Sequence, residues 1–361
     1  MNKPVQPAAP RRAASMLRAV ALCAVAGALA QWLALPLPWM IGPLLAMAAG
    51  KAAGISLAAP GLARDSGQLV IAVALGLYFT PAVAAEVARY LPCMLAAGVF
   101  AIVIGVAGSR ICVAIMGRSA SGAPELDRTT AFFACVPGGA SEMAVLATRY
   151  GGRVDRVAFA QSLRILIVVM TLPFIYKFAG IYGLNTYVQV VPVVDFAGLA
   201  VLLAWACGGG FVLHWLNMPN PFMLGPLLVA VVLTASGLKF SAMPEWLSAF
   251  AQLLLGWSLG DKFERDFFRT APRFIVAVFA STLAAMGLST LLAVLLWQGA
   301  DIHPATGVLA VAPGGIAEMC ITAKVMQQGV PIVTAFHVAR VVMLVLFAGK
   351  VYQRWLAARP L

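Results

Sequence analysis

CVPGGASEMAVLA, residues 135–147, interrupts an apolar stretch with Pro137-Gly138-Gly139 and places an acid, Glu142, one turn further on. VAPGGIAEMCITA, residues 311–323, repeats the arrangement with Pro313-Gly314-Gly315 and Glu318, 176 positions later. Proline removes a backbone donor and glycine removes a Cβ, so a helix is expected to stop at each break. Broken backbone at membrane depth is tolerated only where protein buries it or a watery cavity reaches it. A device built twice in one chain is its expected working part.

The surrounding chain sets the class. Hydrophobic residues make up 62% of the 361 and charged residues 11%, whereas a soluble domain carries roughly half apolar residues. The expectation is an all-α polytopic membrane protein, with the lipid bilayer as its first partner. The net charge of +12 fits Lys and Arg gathered in cytoplasmic loops and needs no nucleic acid. Six cysteines (Cys23, Cys93, Cys112, Cys135, Cys207, Cys320) show no metal-ligand spacing, and inside apolar runs they read as small hydrophobes. No Walker loop, dinucleotide fingerprint or nucleophile elbow is present, so no cofactor and no enzymatic activity are expected. Arg11, Arg12 and Arg18 before a run ending in Ala28-Leu29-Ala30 imitate a signal peptide. A matching run, Phe196–Leu216, stands mid-chain before the second repeat, so the first run is expected to be a retained helix.

The duplication extends through each half. Trp39-Met40-Ile41-Gly42-Pro43-Leu44-Leu45 answers Phe222-Met223-Leu224-Gly225-Pro226-Leu227-Leu228, and Gln68-Leu69 with Gly76 answers Gln252-Leu253 with Gly260. Ala158–Arg164 answers Thr334–Arg340. Apolar stretches fall at 16–36, 38–54, 67–84, 92–117, 129–149 and 157–179, then at 195–216, 221–238, 246–260, 273–298, 304–326 and 331–352. The domain division is a tail to residue 15, repeats at 16–182 and 195–355, a linker at 183–194 and a tail from 356. If the PGG stretches crossed, Arg149, Arg153, Arg156, Lys262, Arg265, Arg269 and Arg273 would face outside, against the positive-inside rule. If they are re-entrant, the halves are inverted, and only Arg89, Lys177, Lys239 and Lys324 lie outside. The predicted architecture is ten transmembrane helices plus two re-entrant segments, with both termini cytoplasmic.

Each helix resuming after a break presents free N–H groups and its positive dipole end, which attract anions. Glu142 and Glu318 stand on those first turns, with Ser141 beside Glu142. The next helix carries Arg164 with Gln161, or Arg340 with His337, three residues apart on one face. Ionisable groups inside a membrane are costly and usually paired. One reading pairs each Glu with its own Arg as scaffold; the other makes Glu a proton carrier and Arg an anion contact. Gly42-Pro43 and Gly225-Pro226 read as helix kinks, His214 and His303 as solvated span ends, and Asp261–Arg273 as a solvated loop.

The paired PGG-x-x-E-M motifs, each preceded by W/F-M-x-G-P-L-L, resemble the AbrB family of duplicated bacterial membrane proteins, from about residue 16 to 352. That resemblance implies the labels "ammonia monooxygenase" or "AbrB family transcriptional regulator", with a link to control of aidB expression. An ammonia oxidase needs a copper or iron ligand cluster, which three scattered histidines do not build. A DNA-binding regulator needs a soluble basic module, for which no polar stretch here is long enough. Paired interrupted helices in inverted repeats point instead to a secondary transporter's site. The expectation is therefore ion-coupled (H⁺ or Na⁺) transport of a small anionic solute between the two PGG segments. The alternative is a membrane-embedded regulator that acts indirectly; a homodimer is left open.

Overall fold

The structure, a computed structural model, describes residues 9–117, 125–183, 193–238, 240–263 and 271–356. Arg118, Lys239, Arg265 and Arg269 of the charge argument, and most of the linker, lie outside these residues. All regular structure among the described residues is helical. The first half holds α1 (Ala9–Trp32), α2 (Pro38–Ala52), α3 (Ala63–Gly76), α4 (Pro81–Arg89), α5 (Leu91–Met116), α6 (Arg128–Cys135), α7 (Ala140–Arg149) and α8 (Val154–Phe178). The second half holds α9 (Phe196–Trp215), α10 (Pro221–Ala235), α11 (Glu245–Gly260), α12 (Pro272–Ala300), α13 (Pro304–Val311), α14 (Ile316–Val325) and α15 (Val330–Val351), closed by a π-helical turn, Tyr352–Leu356.

Local chemistry accounts for many of the boundaries. Thr80 caps α4 through Val83 N–H, with Pro81 in the first turn, where its missing donor costs nothing. Asp127 caps α6 and Asp195 caps α9 by accepting from first-turn N–H groups. The third apolar stretch is not one helix: α3 and α4 meet at 95°. Gly42 and Gly225 do more than accompany a kink. A Cβ on Gly42 would enter the α1 backbone at Ala26, and one on Gly225 would enter the α9 backbone at Gly209.

Among the described residues six helices are long and apolar enough to cross a bilayer, namely α1, α5, α8, α9, α12 and α15, or seven if the bent α3–α4 pair counts as one. The remaining expected spans, α2, α3, α10 and α11, are 14 to 16 residues long. Such helices reach ~24 Å at most, short of the ~30 Å hydrocarbon core. Leu17, Trp32 and Trp215 stand 71%, 80% and 81% exposed on the outer helices. In water such a surface would be an association face; against lipid it is the solvent-facing side. Trp32 and Trp215 close the ends of α1 and α9, where amphipathic rings favour the membrane interface.

The packing of one half reappears in the other with partners exchanged. α2 packs on α11 as α3 packs on α10, and α5 on α15 as α8 on α12. Each PGG segment folds back on itself. Arg153 N–H donates to Thr130 Oγ1 at 2.8 Å and Thr129 Oγ1 to Tyr150 O at 3.3 Å, joining the end of α7 to the start of α6. A straight helix over that length would part its ends by ~30 Å. In the second half Gly329 N–H donates to Thr306 Oγ1 at 3.2 Å. α6–α7 and α13–α14 are thus two hairpins with their breaks at the tips. Their bases are fastened crosswise. Tyr176 of α8, the helix behind the first hairpin, donates to Ala305 O of the second at 2.5 Å. Tyr352, at the end of α15 behind the second hairpin, bonds Thr129 of the first at 2.6 Å.

Candidate functional site

The glycine pairs explain the spelling of the motif. A Cβ on Gly139 would collide with the Glu142 carboxylate, and one on Gly315 with that of Glu318. A Cβ on Gly138 would lie 2.7–2.9 Å from the Met143 side chain, as one on Gly314 would from Met319. Both glutamates and both methionines therefore fold back over the tip they follow, and only glycine leaves them room. Gly139 and Gly315 are also the N-caps of α7 and α14, and neither helix has a side-chain cap. Where Ser or Asp would satisfy first-turn donors, the glycine caps supply no side chain, and the Glu318 carboxylate turns back on its own N–H.

Arg164 and Arg340 close the other side of each break. Arg164 donates from Nη1 to Val136 O and from Nη2 to Gly138 O, both at 3.0 Å. Arg340 donates to Ala312 O and Gly314 O at 2.5 and 2.6 Å. Gln161 Nε2 serves Phe133 O and Val136 O at 2.8 Å, and His337 Nε2 lies 2.9 Å from Leu309 O. These side chains supply the donors that the broken helix lost. The expected pairing of each Glu with its own Arg is not made: among the described residues the ion pairs are Lys51–Asp261 and Arg153–Asp155. One Glu142 oxygen is buried without a hydrogen-bond partner, as are Arg164 Nε and Arg340 Nε. An arginine whose paired donors grip two carbonyls is a clamp. With their terminal donors so engaged, Arg164 and Arg340 keep their Nε donors for an anion.

The cations that face the tips come from elsewhere. A cavity of about 30 Å³ is lined by Arg64 and Gln68 of α3, Ser258 of α11, Lys262, Ala140 of the first tip and Glu318 of the second, among others. That volume admits a water or two. Arg64 Nη1 donates to Ser141 Oγ at 3.1 Å. Charges acting on Glu318 are Arg64, Lys262 and Arg164, and those acting on Lys262 include both Glu318 and Glu142. Pro137–Gly139, Ser141, Glu142, Pro313–Gly315 and Glu318 thus form the tips, with Gln161, Arg164, His337 and Arg340 behind them.

Sequence reading missed Arg64, Gln68, Ser258 and Lys262 as site residues. Gln68 and Gln252 had registered only as marks of duplication, although Arg64 and Gln68, four apart on one helix, share a face. Lys262 corrects the reading of Asp261–Arg273 as a solvated loop: it reaches into the cavity, and Phe263 beside it is fully buried. Residues 264–270 of that run lie outside the described residues. His214 and His303 are exposed.

A sequence profile described as "Transition state regulatory protein AbrB" matches residues 2–117 and 39–357. The Escherichia coli (strain K12) protein named "Putative regulator AbrB" is 26% identical over 326 residues, 90% of this chain and 91% of that one. The Bacillus subtilis (strain 168) protein named "Uncharacterized protein YhjN" is 28% identical over 247 residues, 63% of this chain and 63% of its own length. With the family profile spanning almost the whole chain, this helical, membrane-type protein belongs to the AbrB family.

Proposed function

We propose that the protein is a secondary transporter of a small anionic solute, coupled to H⁺ or Na⁺, working from ten spans and two re-entrant hairpins in inverted repeats. The observation that carries the reading is the convergence on one cavity of a residue from each hairpin tip, Ala140 and Glu318, with Arg64 and Lys262. Uncapped helix starts and two cations attract an anion; two carboxylates on the same tips give a coupling ion its place. Hairpins whose ends return to one level support a reading of five spans in each half and hence of inverted repeats.

The family description and the name of the Escherichia coli relative favour a second reading, a membrane-embedded regulator acting through contacts. A thermal-shift screen of purified protein against small carboxylates and inorganic anions separates the two, because a ligand bound to the native state raises apparent stability. Transport predicts stabilisation by at least one anion that disappears in Arg64→Gln. A flat response across the panel in both proteins would leave the regulator.

A further inference from the structure

Around the return arms of the hairpins the two halves differ. On α14, Ala317 and Ile321 are 3% and 2% exposed, and the arm packs on α3. The matching positions on α7 are Ser141 and Val145; Ser141 is exposed and Val145 is 61% exposed. Thr148, one turn on, is exposed on the same face. No packing of α7 on α11 comparable to that of α14 on α3 is found among the described residues, although Ala140 of α7 and Leu255, Ser258 and Leu259 of α11 line one cavity. This face is not built for lipid tails. It carries two hydroxyls, leads to Arg149 at its end, and receives the Arg64 guanidinium on Ser141, groups that are costly against hydrocarbon.

The charges are one-sided as well. The positions that answer Arg64 and Lys262 in the other half are Ser248 and Tyr78. Two cations therefore stand at the start of α3 and the end of α11, whereas at the mirror location neither position is basic and the cation is Lys324 of α14, facing Glu245.

We propose that the α7 face of Ser141, Val145 and Thr148, with Arg64 and Lys262 across from it, is a water-filled vestibule that receives small oxyanions, carboxylate or phosphate. It is open in this structure on the side of the first hairpin, while the second hairpin's equivalent is shut by α14 on α3. This rests on the transport reading for its purpose, and it adds the side from which the solute is taken and the residues that meet it first. Full closure on this side brings α7 onto α11 and covers Val145; the mirror opening frees α14 from α3 and uncovers Ile321.

The test uses the full chain in detergent with cysteine placed at Val145 or at Ile321, the wild-type chain correcting for its native thiols. Each is reacted with an anionic sulfonate thiol reagent and with a cationic trimethylammonium one. Val145→Cys should react with both, and the anionic reagent should be favoured by about tenfold over its preference on a free thiol, the scale of electrostatic focusing in a charged cleft. That preference should fall several-fold in Arg64→Gln and in Lys262→Gln, and hold in Arg64→Lys, which keeps the charge. Ile321→Cys should stay unreactive. Inert Val145→Cys, or a charge preference that ignores both neutral variants, overturns the vestibule; so does Ile321→Cys reacting as fast as Val145→Cys. Inorganic phosphate should slow the anionic reagent in detergent alone; slowing only after phosphatidylglycerol is added would reassign the site to lipid headgroups and overturn the free-solute claim. Flux without the charge preference sinks the vestibule alone, and the preference without flux sinks transport alone.

Discussion

Gly138 and Gly139 are neighbours with different jobs, one making room for Met143 and the other for Glu142. Gly139→Ala should push the carboxylate off the tip while the clamp from Arg164 holds the hairpin. The expected outcome is a protein with nearly unchanged melting temperature that no longer gains stability from anions. Gly138→Ala should instead lower the melting temperature, because a packed methionine has to move. Arg164 grips carbonyls and not Glu142. Arg164→Met strands Gly138 O, at about 1–3 kcal/mol, while Val136 O keeps Gln161 Nε2, so it should cost more than Glu142→Gln does. A double-mutant cycle of the two should be additive within about 0.5 kcal/mol; strong coupling would restore the scaffold-pair view. Lys262 sets a pH limit. Burial, with Arg64 alongside, pushes its ammonium down to about 8, against the pull of Glu318, Glu142 and Asp261. Below that pH the cavity holds two cations and above it one. Anion affinity should therefore fall as pH rises through about 8, and Lys262→Arg, which stays charged, should flatten the profile.

The helices were legible in the chain wherever apolar length and capping agreed, and the PGG breaks could be read because proline and glycine interrupt hydrogen bonding locally. What a break does next was read from charge, through the positive-inside rule, and not from periodicity. Folding back depends on Thr130 and Thr306 meeting Arg153 N–H and Gly329 N–H, contacts between residues more than twenty positions apart that periodicity does not encode. The bend between α3 and α4 was missed because apolar composition continues through it, although Thr80-Pro81 is a cap signal in its own right. Within the site, residues near the breaks were found because the duplication pointed at them. Arg64 and Lys262 were not, because no mirror copy marks them and each sits at a span end, where a basic residue ordinarily fixes topology. Gln161, Arg164, His337 and Arg340 were found, but the carbonyls they bond were not. A sequence shows that a buried arginine needs partners; it does not show that the partners are backbone carbonyls.

At the scale of the molecule, the fold-back of each hairpin and the exchange of partners between halves make a prediction about sides. Reporter fusions after Arg156 should read cytoplasmic and fusions near Lys177 periplasmic, since α8 then crosses once between them. Opposite readings with a cytoplasmic N-terminus would abolish the inverted arrangement and the sidedness of the vestibule with it. The crosswise tyrosines bear on how such a body moves. Tyr176 ties the helix behind one hairpin to the foot of the other, and Tyr352 returns the tie. Neither hairpin then has a foot of its own to pivot on. Two arms knotted at each other's ankles are held to travel together, so a shift that uncovers one tip carries the other with it, and α1–α3 with α9–α11, packed on one another, become the frame past which a single piece slides.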